Sequence, residues 1–229
     1  MAKRPPAPPR REGSLSRDRI IEAAIVILDE AGEGGLTFRA LAERLVTGPG
    51  AIYWHIANKG ELLVAACDAI VARAMSEVSG DATPEASIRA IALGMFDAID
   101  EHPWVGSALT HAPGQLPAVR LLERLGQPLR ALGVPRDREW TTVSALLSYI
   151  FGVGAQNAAN RQFALTEGLE RGAFLASVST AWSELDAEGY PFARSIGEQL
   201  RDHDDREDFL AGIDLILGGI GSLGHGPTV

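Results

Sequence analysis

A chain of 229 residues with 46% hydrophobic content can bury a sizeable core, so disorder is excluded as its default state. Its one cysteine, Cys67, excludes an intramolecular disulfide, and no apolar run reaches the roughly 20 residues that a membrane span needs; the greasiest stretch, LAGIDLILGGIG, is interrupted by Asp214. Net charge is −9, which taken whole speaks against nucleic acid, yet residues 1–60 carry 9 Lys and Arg against 7 Asp and Glu, while the remainder carries 12 against 23. A basic end attracts phosphates and an acidic body repels them, which orients a molecule on a duplex. The N-terminus is basic and has no apolar h-region, so a soluble, cytoplasmic protein is expected, with no membrane among its partners.

Residues 1–13, MAKRPPAPPRREG, have no apolar face to bury and read as a mobile basic arm, in which Lys3, Arg4, Arg10 and Arg11 either contact DNA or form a solvated tail. Ser16 is placed to cap a first helix whose apolar stripe is Ile20, Ala24, Ile27, Leu28 and Ala31. Thr37 caps a second, with Phe38, Leu41, Ala42 and Leu45 at i, i+3, i+4 and i+7. Gly48 as N-cap and Pro49 at the first helical position open a third helix that carries Ala51, Tyr53, Trp54 and His55. Asn58 with Glu61, ahead of Leu62 and Leu63, is a capping-box pattern that starts a fourth. Two short helices around a tight turn make a helix-turn-helix, and that motif points to double-stranded DNA.

The run AIYWHIANKGELL, with LAERL upstream, closely resembles the N-terminal domain of tetracycline-repressor-type (TetR family) regulators, over roughly residues 16 to 75. The resemblance implies an all-α protein: a three-helix DNA-binding head at residues 14–60, then a body at residues 61–225 that binds an effector and dimerises. By position, Tyr53, His55 and Lys59 match family residues that touch phosphates, and Arg39 matches an arginine that reads a base. Their chemistry agrees, since Arg can bond a guanine edge bidentately whereas a hydroxyl, an imidazole or an ammonium suits phosphate oxygens. The family's usual Gly-Val and polar cap after the second helix are here Val46, Thr47 and Gly48. The leading edge of the third helix, Thr47, Gly48, Pro49, Gly50 and Ala51, therefore offers few side chains to bases. Readout is expected from Arg39, from Ala51 against a thymine methyl, and from Thr47 and backbone N–H groups on phosphates. Trp54 either joins this surface or packs inside the head.

Beyond the head, helical patterns run over 59–79, 84–101, 116–132 and 137–161, broken at His102-Pro103 and at HAPGQLP. Residues 143–154 and 209–220 are apolar nearly all round, and their glycines 152, 154, 212, 218 and 219 suit close approach of another helix. In the family two late helices pair with their twofold mates, which implies a homodimer; a buried intrachain core is the alternative. A helical body places ligands between helices, and His102, Trp104, Tyr149, Asn157 and Phe163, with Trp182, are suitable walls for an apolar or aromatic small-molecule effector. The family's drug-binding histidines are not reproduced as a set: one falls near His102, the other at Met75.

Enzymatic and metal chemistry find no anchor. GIGSLG at Gly219–Gly224 satisfies GxGxxG without a preceding strand, no GxSxG, HExxH or CxxC spacing occurs, and the five histidines are scattered, so no catalytic residue, metal or cofactor is expected. Cys67 reads as a small buried apolar residue. The expectation is a DNA-binding regulator, a repressor released from a palindromic operator by its effector. The alternatives are a helical small-molecule-binding protein or enzyme with a vestigial head, and a nonspecific DNA binder.

Overall fold

The computed structural model describes residues 15–76, 82–112 and 114–223, and all regular structure among them is helical. The readings of the basic arm and of the end of GIGSLG lie outside these residues. No described helix is long and apolar enough to cross a membrane. The chain divides into two compact units between Ala69 and Ile70, within the fourth helix; the sequence places its boundary after residue 60.

In the first unit, α1 (Arg17–Gly35) begins where Ser16 accepts a hydrogen bond from the Arg19 amide at 3.2 Å. Its buried face is Ile20, Ala23, Ala24, Ile25, Ile27 and Leu28; Ala31, placed in the stripe by spacing, is exposed because the helix kinks at Gly32, whose φ is 61°. Helix α2 (Phe38–Arg44) starts at Thr37, whose hydroxyl accepts from the Ala40 amide at 3.1 Å, and buries Leu41 and Ala42. A bidentate pair from Arg44 to Glu30, at 2.7 and 2.9 Å, ties α2 back to α1. Helix α3 (Pro49–Tyr53) is one short turn anchored by Ile52, and α4 (Lys59–Ala74) follows it. The Asn58 cap is formed: its side chain accepts from the Glu61 amide at 2.9 Å.

The second unit is organised on α5 (Pro84–Glu101), capped by Thr83 and buried along Ile88, Ile91, Ala92, Met95, Phe96, Ala98 and Ile99. Around it pack α6 (Trp104–His111), α7 (Leu116–Ala131), α8 (Glu139–Thr166) and, after α9 (Arg171–Ser183), α10 (Pro191–Ile196) and a 3-10 helix (Gly197–Asp202), the last helix α11 (Asp205–Leu223). Asp214, the one charge in the apolar C-terminal stretch, pairs with Arg89 of α5 at 2.5 Å, and Arg206 pairs with Asp97 at 2.8 Å.

The link from α2 to α3 holds the one non-glycine residue with a left-handed backbone among the described residues. The Thr47 amide donates to the Ala42 carbonyl at 2.9 Å and the Val46 amide to Glu43 at 3.3 Å, the bond pair of a Schellman ending. That ending needs a left-handed residue, and Val46 supplies it with φ 51° at 93% exposure. A β-branched side chain is strained there, and nothing packs on it in return. Val46→Gly is expected to stabilise the protein by about 1 kcal/mol, the relief of strain being partly offset by glycine's greater unfolded-state entropy. Denaturant unfolding of the two proteins measures this, and an unchanged or lower midpoint would show that the valine is relaxed.

Candidate nucleic-acid interface and effector cavity

None of the head residues expected at the DNA surface is buried. Thr37, Gly48, Pro49 and Gly50 are exposed, Thr47, Ala51 and His55 half-buried. Arg39 has an 88% exposed side chain whose Nε donates to Glu43 one turn along α2 at 3.0 Å. Tyr53 stacks flat on Phe38, ring centroids 4.2 Å apart and planes at 3°, which fixes the end of α3 on the start of α2. Trp54 is 90% exposed, so of its two readings packing inside the head is excluded. Lys59, at the start of α4, gives its ammonium to the Glu33 carbonyl.

One organiser of this region escapes sequence reading. Arg17 donates to the His55 carbonyl at 2.9 Å and to Glu61 at 2.8 Å, while the second Glu61 oxygen accepts from the Ala57 amide at 2.8 Å. That amide first and the guanidinium second hold the Glu61 carboxyl below its ordinary range. The loop carrying His55 is thereby clamped to the starts of α1 and α4. Cys67 lies buried on α4, and desolvation with the neighbouring Asp68 pushes its thiol up to about 12, which leaves it inert at neutral pH.

The second unit contains a cavity of about 760 Å³ whose walls come from α5, α8, α9 and the start of α11. Phe96, Phe209 and Tyr149 form a ladder along one side, with centroids 4.6 Å and 5.5 Å apart. Tyr149 donates to the Phe209 carbonyl at 3.1 Å, and its hydroxyl is raised above its usual range by burial and then by the charge of Asp208. Opposite, Trp182 and Phe174 project from α9. Asn157 donates to Asp100 at 2.9 Å, and Arg161 reaches the same carboxylate at 2.6 Å.

Of the residues expected in an effector site, Tyr149, Asn157 and Trp182 line this cavity. His102, Trp104 and Phe163 are not among its walls: Trp104 is buried in α6 with its ring 6.2 Å from that of His102, and Phe163 is an exposed residue on α8 tilted against Phe174. Phe96, Phe174 and Phe209 reach it from three helices, and sequence reading passed over them; so too the amides Gln156 and Asn160 beside Asn157. The amide-rich run AQNAAN was the available signal.

Residues 20–66 match the model of the bacterial regulatory proteins, tetR family. Across nearly the whole molecule, the structure of the transcriptional regulator SCO7222, a TetR from Streptomyces coelicolor, is similar at 50% identity and a TM-score of 0.83, covering 92% of this chain and 99% of that one. The chain belongs to the TetR family. This TetR protein is a helix-turn-helix transcriptional regulator. It also resembles BioQ, solved with its natural double-stranded DNA operator, at 30% identity, a TM-score of 0.57, and coverage of 68% of this chain and 94% of that one. An HTH-type transcriptional regulator of Saccharopolyspora erythraea is 28% identical over 150 residues, which span 65% of this chain and 64% of that regulator.

Where α8 and α11 close the cavity, Tyr149 occupies the space that a side chain at Gly212 would need: a Cβ there would fall inside the tyrosine hydroxyl. Gly154 similarly lies against Ile99, while Gly152, Gly218 and Gly219 face open space. Gly212→Ala is expected to cost the TetR protein about 1–3 kcal/mol by forcing Tyr149 from its wall, and Tyr149→Phe on that background is expected to recover part of the loss. Unfolding of the single and double variants checks this; an additive double variant would show that the two sites do not compete for one volume.

Proposed function

We propose that the protein is a homodimeric repressor whose two heads enter successive major grooves of a palindromic operator, and that an effector bound in the α5–α8–α9–α11 cavity releases it. The observation that carries the DNA reading is the set around α3 of exposed Arg39, Tyr53, Trp54 and Lys59 with half-buried His55, on a backbone fixed by the Thr37 cap and the Phe38–Tyr53 stack. Half-sites are then about 34 Å apart. Arg39 reads a base edge, Thr47 and the α3 N-terminus with Gly48, Pro49 and Gly50 approach phosphates closely, Ala51 meets a thymine methyl, and Tyr53, His55 and Lys59 hold the backbone. The operator complex of BioQ supports this use of the head.

Dimerisation rests on the outer faces of α8 and α11. Thr141, Ala145, Ser148, Gly152, Ala155 and Ala159 recur at alternating four- and three-residue steps and are all exposed, which makes a smooth stripe suited to close helix packing. On α11, Ala211, Leu215 and Gly218 are exposed at similar steps, and Leu215 is 80% exposed. The inner faces, including Leu146, Ile150, Ile213 and Leu217, already serve the chain's own core. The effector needs only a higher affinity for the state that cannot hold both half-sites.

Arg39→Ala is expected to lose roughly 1–3 kcal/mol on operator and little on random DNA, whereas Lys59→Ala weakens both and lowers the salt slope by about 1. Titrations of the protein on its own upstream DNA at several salt concentrations separate them, and equal losses on both DNAs for Arg39→Ala would remove its base-reading role. Leu215→Asp is expected to dissociate the dimer, since a carboxylate buried without a partner costs several kcal/mol, and operator binding should go with it. Sedimentation of that variant as an intact dimer would place the interface elsewhere.

A further inference from the structure

The charges on the cavity wall do not cancel. Four carboxylates, those of Asp100, Glu170, Asp205 and Asp208, face two guanidiniums and one imidazole, so the lining is negative whether or not His203 is protonated. Both guanidiniums are already held: Arg161 by Asp100 at 2.6 Å, and Arg171 by Asp205 at 2.8 Å and by the His203 carbonyl at 2.5 Å. An incoming carboxylate or phosphate would have to break one of these pairs and would still face the remaining acids. Glu170 is different in kind, because its carboxylate makes no hydrogen bond or ion pair among the described residues.

Glu170 also stands at the head of an ordered row. Glu170, Phe174, Val178 and Trp182 follow one another at four-residue steps, so they share one face of α9, and all four line the cavity. The row sets a free negative charge one turn from the Phe174 ring, with Trp182 farther along the same face, and Tyr149 lines the same cavity with its hydroxyl already engaged by the Phe209 carbonyl. Negative π-faces and a free carboxylate favour the same kind of guest.

We propose that the effector is an aromatic organic cation, a flat lipophilic molecule with a delocalised positive charge, seated on Phe174, Trp182 and Tyr149 and neutralised by Glu170, with Asp208, which is paired to the His203 imidazole, adding to the negative field. This deepens the cavity's reading as the effector site and rests on it. The acidic body, with 12 basic against 23 acidic residues beyond residue 60, also raises the local concentration of such cations.

Three fluorescent dyes test the charge preference on the full-length protein by anisotropy: rhodamine 6G, a cation; fluorescein, an anion on the same ring system; and Nile red, which is neutral. Rhodamine 6G is expected to bind at least tenfold more tightly than fluorescein, and Glu170→Gln combined with Asp208→Asn to weaken it by roughly tenfold. Nile red should bind this double variant as it binds the parent, which reports that the cavity is intact, while Trp182→Ala weakens both dyes. The cation proposal is overturned if fluorescein or Nile red binds as tightly as rhodamine 6G, or if the double variant keeps its full affinity for the cation. Operator release by the neutral or anionic dye in that case would leave the effector-site reading standing. No binding by a dye of any charge would remove both.

Discussion

Burial of α5 is the constraint on which the second unit depends. Its apolar residues are too many for one face, so α7, α8 and α11 must all contribute a side to it: Leu121, Leu125 and Leu129, then Leu146 and Ile150, then Phe209 and Ile213. Once the inner faces of α8 and α11 are committed in this way, only their outer faces remain for another chain, and those are small and open. The cavity is what is left where α5, α8 and α11 diverge toward α9, and its aromatic ladder is the same core continued to an edge. Packing and pocket are consequences of one helix that cannot be left wet.

The head obeys a different economy. Three of its ion pairs, Arg17–Glu61, Arg39–Glu43 and Arg44–Glu30, are all partly or fully exposed, and such pairs are each worth only about 0–1 kcal/mol. Apolar contacts from Ile20, Leu41, Ile52 and Ile56 carry the fold instead. A guanidinium held this weakly can exchange one anionic partner for another at little cost, so Arg39 can be kept from wandering in solution without being lost to DNA. Arg44, bidentate on Glu30, is more firmly committed to structure.

What could be read in the sequence was local. Ser16 and Thr37 cap the helices they were expected to cap, because a hydroxyl and an amide three residues on decide that geometry without help from the rest of the chain. The turn at Val46 was flagged only by its departure from the family pattern; its left-handed backbone follows from bonds that no single residue announces. Helix α6 lay hidden between Pro103 and HAPGQLP, since its eight residues are too few for a period to show. Trp104 and Phe163 were expected in the pocket for their bulk, but which bulky side chain meets which void is set by contacts such as Phe96 with Phe209, more than a hundred positions apart, and spacing carries no record of those. Arg17 as a clamp on the His55 loop was equally illegible for the same reason.

The state of Cys67 has a practical corollary. The only sulfhydryl in the chain is buried on α4 and held protonated by its surroundings, so it is closed to alkylation and to disulfide exchange at neutral pH. The native molecule is therefore spectroscopically silent toward thiol-directed labels. A cysteine introduced at an exposed position on α3 would be the sole reactive handle per subunit, and in the homodimer proposed above a pair of spin or fluorescent labels attached there would report the separation of the two heads without background from the protein's own sulfur.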